Sequence, residues 1–571
     1  MVLLISKNIV NELNRIFKSL HWDCIVQDSS LSYNFDLQKG DFSFPCFELA
    51  KKTSAEPQKT ACLIKDRFKK SKEILKIEAV NGYLNFYIDR RKTAPLILKQ
   101  ILAQGKHYGH SDIGKNKKIM VEFSSPNTNK PLHLGHLRNI VIGDSVSNLL
   151  ESVGFEAVRA TLLNDRGIHI CKSMLAYDKW GNNKKPDVKS DHFVGEYYVL
   201  FEKKRKREPN LDKELSSFLK KLESKDRATV LLWKKMNKWA ENGFKETYKK
   251  LGVRFDKTYK ESRIYEKGKK LIQDLFEKGV FKKDKQGAIF ADLEQFGLPN
   301  KILLRSDKTA IYITQDIYLA ILKFKEYDLA KSIYCVGSEQ ELYLKQLFKI
   351  VQLLGHPCKD KCYHLNHGIV FLPEGKMKSR EGKVVDADNL IKELEDLARN
   401  EIVKRNPKIK EKELSKRSEK LSLTALKYYL LLPNPARNVY FDPKKSISFI
   451  GRTGPYIQYS QARICSILKK AKNVSFNKAD CSLFNEKELC LILVLFQFPL
   501  IIKKSALDYN PSLLAQYLYD LAESFNNYYE NFSVLGADKK TRKARLLLLK
   551  CSQTVFSNGM EILGIPLMDK M

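Results

Sequence analysis

Apolar side chains recur at helical spacing from the first residues of the chain. Ile9, Val10, Leu13, Ile16, Phe17 and Leu20 fall on one face and predict an opening amphipathic helix. A turn-rich stretch through Lys39-Gly40-Asp41-Phe42-Ser43 follows. Asn81-Gly82-Tyr83-Leu84-Asn85-Phe86-Tyr87-Ile88 then alternates apolar and polar positions, as a strand does. These segments make a small α+β domain over residues 1–105, and Gly105 to Lys118, rich in Gly and Lys, reads as a linker.

From Lys118 the pattern changes to strand, turn, helix, strand. Ile119 to Phe123 is an apolar run, Ser124 to Pro131 is a turn, and Leu137, Ile140, Val141, Leu149 and Leu150 form the apolar side of a helix. Ala157 to Leu163 is a second strand, so the segment is a βαβ unit. It predicts an α/β domain over 115–430, with a parallel sheet that binds ligands at its strand C-termini. Residues 184–260 interrupt it with charged, helix-like sequence that includes Lys203-Lys204-Arg205-Lys206-Arg207. That insertion reads at least as readily as a solvated helical element as it does as an RNA contact. Ala310 to Ile313 and Ser332 to Val336 are expected as short buried strands. Beyond about residue 420 strands vanish, and Leu513, Leu514, Tyr517, Leu518 and Leu521 predict an all-helical bundle over 435–571.

At 571 residues, 43% of them hydrophobic, the chain exceeds one core and suits several domains. Its formal net charge of +35 points to a polyanionic partner such as RNA. The N-terminus has no basic n-region or cleavage site, and no 18-residue apolar run is seen, so a cytoplasmic protein without a membrane partner is expected. The 11 cysteines form no regular framework, in keeping with reduced thiols. His356, Cys358, Cys362, His364 and His367 are a cluster of metal-ligand types without paired knuckles. Coincidence is the reading preferred for them, and no structural metal is expected.

The parallel sheet carries neither the dinucleotide-binding glycines after a strand nor a phosphate-binding loop with Gly-Lys-Ser/Thr. Its strand-to-helix turn holds His133-Leu134-Gly135-His136 instead. Two imidazoles there can donate to phosphate at a helix N-terminus, and Gly135 leaves room for a purine against the backbone.

The whole run Val121-Glu122-Phe123-Ser124-Ser125-Pro126-Asn127-Thr128-Asn129-Lys130-Pro131-Leu132-His133-Leu134-Gly135-His136-Leu137-Arg138-Asn139 resembles the first signature of the class I aminoacyl-tRNA synthetases, in the form typical of the arginine enzymes. Asn164-Asp165-Arg166-Gly167, Tyr312-Ile313-Thr314-Gln315-Asp316 and Glu339-Gln340 resemble later motifs in the family's order. Gly454-Pro455-Tyr456-Ile457-Gln458-Tyr459-Ser460-Gln461-Ala462-Arg463 resembles the start of its helical anticodon-binding domain.

The resemblance covers essentially the full length. It implies a Rossmann-type catalytic domain, an N-terminal domain at the tRNA elbow, and a monomer whose substrates are ATP with Mg²⁺, L-arginine and tRNA(Arg). By resemblance Glu122 and Asp316 grip the guanidinium with Tyr312 alongside, while Asn127, His133 and Gln340 hold the α-amino and carboxylate ends. The pocket's chemistry agrees, since a guanidinium's donors call for carboxylates and other acceptors. An ion pair with a neighbouring lysine is the structural alternative for either acid.

The second signature maps onto Gly375-Lys376-Met377-Lys378-Ser379-Arg380-Glu381-Gly382-Lys383-Val384-Val385, with Lys378 and Ser379 exchanged relative to the usual order. Lys376 and Arg380 are the preferred catalytic cations, with Lys378 third and Lys130 supporting. ATP would be held by His133, Gly135, His136, Met377, Lys378 and Ser379, and the anticodon loop by Tyr456, Gln458, Tyr459 and Arg463. The rival readings are weaker. The nearest is another class I synthetase, for cysteine or glutamate, of which the cysteine enzyme would want zinc within the pocket; a small nucleotidylyltransferase has no use for the helical C-terminal domain, and a non-catalytic relative has only the altered loop in its favour.

Overall fold

The opening stripe forms α1 (Val2–Ser19), with Ile5, Ile9, Leu13, Ile16 and Phe17 all buried. The computed structural model describes residues 2–27, 30–33, 40–373, 385–471, 476 and 479–570. Strands β1 (Ser32–Tyr33), β2 (Phe42–Pro45), β3 (Ile74–Val80) and β4 (Tyr83–Ile88) make an antiparallel sheet in the order β1-β2-β4-β3, with α2 (Phe47–Lys52), α3 (Pro57–Arg67) and α4 (Arg90–Gln104) around it. The strand expected from Asn81 begins instead at Tyr83. Asn81 and Gly82, at φ +50° and +79°, are the tight turn of a β3–β4 hairpin, as an Asn-Gly pair between strands favours.

The stretch read as a linker is packed. Tyr108 is buried, stacks on Phe498 and donates to the Leu495 carbonyl at 3.0 Å, which docks the segment on the C-terminal bundle.

The central sheet is parallel throughout, in the order β12-β11-β5-β6-β7. Its strands are β5 (Lys118–Glu122), β6 (Glu156–Leu163), β7 (Lys257–Lys260), β11 (Leu329–Gly337) and β12 (Cys362–His367), and α5 (Leu134–Ser152) connects β5 to β6. The chain runs outward in opposite directions from β5, so the crevice opens at the C-terminal ends of β5 and β11, where such sheets hold ligands. Between β6 and β7 come α6 (Ile168–Trp180), α7 (Ser190–Arg205), α8 (Leu211–Glu223) and α9 (Arg227–Leu251). This insertion is more than a solvated extension. Met174, Tyr177, Phe193, Phe201 and Met236 give it a core of its own, and its expected last residues, 257–260, belong to the sheet.

After β7 run α10 (Glu261–Glu277), the antiparallel β8 (Lys282–Lys283), β9 (Ile289–Ala291) and β10 (Lys301–Leu304), α11 (Tyr312–Glu326) and, beyond β11, α12 (Glu341–Leu353). Ala310 to Ile313, expected as a strand, makes a single bridge from Ala310 to Leu304 and then starts α11, where Thr314 accepts from the Ile311 amide. Strand also persists past residue 420. Val439–Tyr440 (β14) pairs in parallel with Val370–Phe371 (β13).

The rest is helical: α13 (Ala387–Arg405), α14 (Glu411–Leu431), α15 (Pro443–Ser446), α16 (Gly454–Lys470), α17 (Glu486–Leu507), α18 (Pro511–Asn531) and α19 (Lys539–Ile562). Among the described helices α17 is long and apolar, with Gln497 within it. An 18-residue window there has a mean hydropathy of 1.8, and 72% of it is buried. An all-round apolar helix is one packed on every side, and α17 lies against α1, α4, α5, α18 and α19.

Candidate active site

At the end of β5 the backbone turns sharply. Ser124 and Ser125 both take left-handed conformations, φ +70° and +46°, at a cost of about 1–3 kcal/mol each for residues with a Cβ. The surroundings hold them there. Asn139 of α5 accepts from the Ser124 amide, donates to the Cys335 carbonyl at 2.6 Å and lies 3.1 Å from His367 Nε2, while Ser124 Oγ meets Tyr248 Oη at 2.7 Å. One asparagine therefore ties together the C-terminal ends of β5, β11 and β12. Asn127, exposed at the turn, bridges Asn164 beyond β6.

His133 is the N-cap of α5, and its amide donates to His136 Nδ1 at 3.1 Å, with the two rings 3.9 Å apart. Burial, reinforced by Lys130, lowers His133 to about 4 and His136 well below the usual imidazole value, so both rings are neutral near pH 7. Burial also lowers Lys130. The space beside Gly135 is taken by the His133 ring, which a Cβ there would meet at 3.1 Å. A purine lying against this glycine must therefore displace that ring. A cavity of about 640 Å³ opens beside these residues, bounded by Lys130, His133, Trp180, His192, Tyr198 and Asp386.

Beneath the crevice lies a cluster of acids. Asp316, the fifth residue of α11, accepts from Tyr343 Oη, and burial, aided by Glu122 nearby, raises it to about 6. Glu122 is buried as an ion pair with Lys323, 2.8 Å away and wholly inaccessible, so the alternative of a lysine partner holds for this acid. Glu261 joins the cluster: burial, aided by Asp165 and Asp316, raises it to about 7 against Gln315 and Arg166. Tyr312, 62% exposed, stands at the rim, and Gln340 is exposed at the start of α12. Lys323 and Glu261 escaped the sequence reading because each sits on a charged helix that resembles a solvated face.

Lys376, Met377, Lys378, Ser379 and Arg380 lie outside the described residues. The chain that follows them is anchored to the signature turn: Leu134 N donates to Val385 O and Ala387 N to Leu132 O, at 3.2 and 3.0 Å. Asp191, His192 and Asp388 are spaced closely enough for a cation, but Lys189 Nζ already lies 2.9 Å from Asp191 and 2.8 Å from Asp388 and supplies the counter-charge. The five histidines and cysteines from His356 do not converge. His356 faces Cys358, His364 reaches the Val336 carbonyl, and His367 points to Asn139.

In the bundle Gln458 is fully buried, its amide 3.2 Å from Thr424 Oγ1, so the expected base contact by this residue is replaced by a core role. Tyr456 is half-buried against Tyr519. Tyr459 is partly exposed, and Arg463 donates to its hydroxyl and stacks between the rings of Tyr459 and Tyr529.

Residues 97–442 match the model of the tRNA synthetases class I (R) catalytic domain, 457–571 the DALR anticodon binding domain, and 4–88 the arginyl tRNA synthetase N terminal domain. Arginine–tRNA ligase of Treponema denticola is 42% identical over 94% of this chain and 93% of its own. That of Borreliella afzelii is 41% identical over 99% of each. The Thermus thermophilus arginyl-tRNA synthetase structure superposes with a TM-score of 0.86 at 26% identity, covering 99% of this chain and 100% of that one. The parallel sheet and its paired histidines are thus those of a class I tRNA synthetase. Within that class, the chain belongs to the arginyl-tRNA synthetase family.

Proposed function

We infer that the chain joins L-arginine to its tRNA at the expense of ATP, acting as a monomer in the cytoplasm, with the crevice between β5 and β11 as its active site. The observation that carries this reading is the placing of Asp316 and Glu122 under the crevice, in a strongly basic chain. Asp316 takes the guanidinium, with Glu122 and Tyr312 beside it. Asn127, Gln340 and His133 orient the α-amino and carboxylate groups.

The arginine carboxylate attacks the α-phosphorus of ATP in line. A new P–O bond forms as the bond to the β-phosphate breaks, and pyrophosphate leaves. His133 and His136, neutral in the free protein, donate hydrogen bonds to the phosphate, and Lys130, Lys376 and Arg380 offset its growing charge. Mg²⁺, when bound with the triphosphate, would supply further charge neutralisation. Asp386, whose Oδ2 lies 3.4 Å from His192 Nε2 at the same cavity, is the carboxylate that would hold it. The terminal ribose hydroxyl of tRNA then attacks the arginyl carbonyl and AMP departs. The N-terminal domain faces the tRNA elbow, and Tyr459 with Arg463 offers a stacking platform to anticodon bases.

ATP–pyrophosphate exchange with each proteinogenic amino acid, with and without tRNA, tests the assignment. Exchange with arginine only is expected, and exchange driven by any other amino acid would overturn it. Asp316→Asn should raise the arginine KM at least about a hundredfold while leaving that for ATP within a few-fold, because a buried donor fork loses its charged acceptor.

A further inference from the structure

We propose that Lys323 is a specificity-determining residue, an internal cation beneath the arginine pocket that cancels one of its two carboxylates and leaves a site matched to a single positive charge. The inference rests on the assignment of Glu122 and Asp316 to arginine binding. Lys323 lies two turns along α11 from Asp316, its side chain fully buried. Its ammonium is 2.8 Å from Glu122 Oε2 and 3.8 Å from the centre of the Tyr334 ring on β11. Neither Lys323 Nζ nor Glu122 Oε2 completes an aligned hydrogen bond, so what joins them is charge held in a confined space. A buried ammonium with one carboxylate and one ring face as its nearest partners is costly.

The groups around Asp316 define the role of that charge. Lys323 comes from its own helix, Glu122 from β5, Tyr343 from α12 and Glu261, more distant, from α10. Glu122 and Lys323 cancel, which leaves the charge of Asp316 for an incoming guanidinium. Without Lys323, two carboxylates would share a dry site, and Asp316 would hold its proton into the neutral range. Lys323 already acts in the opposite direction on it, against burial and Glu122. A protonated Asp316 is a donor facing donors, and arginine binding would then wait for a higher pH.

The test is the arginine KM between pH 5.5 and 9 for the full-length enzyme and three variants. In the parent enzyme the KM should rise only below about pH 6. Lys323→Met should move that rise above pH 7 and raise the KM at pH 7 at least about tenfold with kcat changed less, and Lys323→Arg should restore the parent curve. Glu122→Gln alone should weaken arginine binding at all pH values by leaving Lys323 unbalanced. Glu122→Gln/Lys323→Met, which removes the buried ion pair as a unit and so guards against misfolding of the single variant, should recover at least about tenfold of that loss. A Lys323→Met curve superimposable on the parent, or a double variant as poor as Glu122→Gln, overturns the proposal. If Asp316→Asn raises the arginine KM in either of those cases, the pocket assignment survives and only the role of Lys323 fails. An unchanged KM in Asp316→Asn removes both.

Discussion

Arg138 Nη1 donates to the main-chain carbonyl of Gly368, 2.9 Å away, and the other arm of the guanidinium donates to the carbonyls of Pro435 and Arg437 at 3.1 and 2.6 Å. The side chain is fully buried and its hydrogen bonds go to main-chain oxygens. It fastens the signature helix α5 to β12 and to the segment leading into the bundle, a span a planar fork covers and an ammonium does not. Arg138→Lys should therefore cost about 2–4 kcal/mol, read as a lower urea midpoint, with Arg138→Met costing at least as much. A Lys variant of parent stability would show that the fork is dispensable.

The paired histidines make acid stability a property of the active site. His133 titrates near 4 when folded and near 6.5 when unfolded, so below 6.5 the unfolded chain takes up a proton that the folded one refuses. Its contribution is full above pH 6.5, declines as the pH falls to about 4 and is constant below that. His136 and His367, the latter also near 4, act with the same sign. His192, raised chiefly by its hydrogen bond to Asp388, acts with the opposite one. His133→Asn should lose up to about 3 kcal/mol of the stability change between pH 6.5 and 4, measured by urea titration at the two pH values. Equal slopes in parent and variant would falsify the assignment.

Much of this architecture is legible in the chain because the strand, turn and helix after Lys118 carry their own signals: an apolar run, Pro126 and Pro131 in the turn, then apolar residues on one side of α5. Ala310 to Ile313 misleads because so short an apolar run has no periodicity. The cap at Thr314 and the bridge to Leu304 decide between strand and helix, and neither shows in the apolar pattern of the run. The same limit hides Lys323 and Gln458. A lysine among Lys325, Glu326 and Tyr327, or a glutamine between tyrosines, looks like surface, and it is the packing of α11 under β11 and of α16 on α14 that buries them.

Gly143 permits a contact that no other residue would. A Cβ there would stand 2.3 Å from the Phe123 ring, which immediately follows Glu122. Gly143→Ala should destabilise by about 1–3 kcal/mol and, by displacing Phe123, also raise the arginine KM. Thermal unfolding and steady-state kinetics on the same preparation check both halves, and a stable variant with a normal KM would refute the coupling.

The cations of the second signature should separate by role. Lys376→Ala and Arg380→Ala are expected to lower the rate of arginyl-adenylate formation by about 10²–10³ with little change in the arginine KM, and Lys378→Ala by less. Single-turnover pyrophosphate release resolves the chemical step. A Lys378 effect exceeding both of the others would reverse their assignment.

One helix reaches from the histidines to the end of the chain. His136 stands in the first turn of α5, while further along Asn148 donates to the Ile562 carbonyl and Ser145 to that of Leu563, where α19 ends. Lys427 Nζ donates to the next carbonyl, Gly564, from α14. From Asn148 to His136 the rod is about 18 Å long, so a rotation of about 5° imposed by the bundle would carry the imidazoles about 1.6 Å. Such a displacement is half a hydrogen bond's length, so the contacts that seat α5 on the end of α19 also set where its two histidines stand.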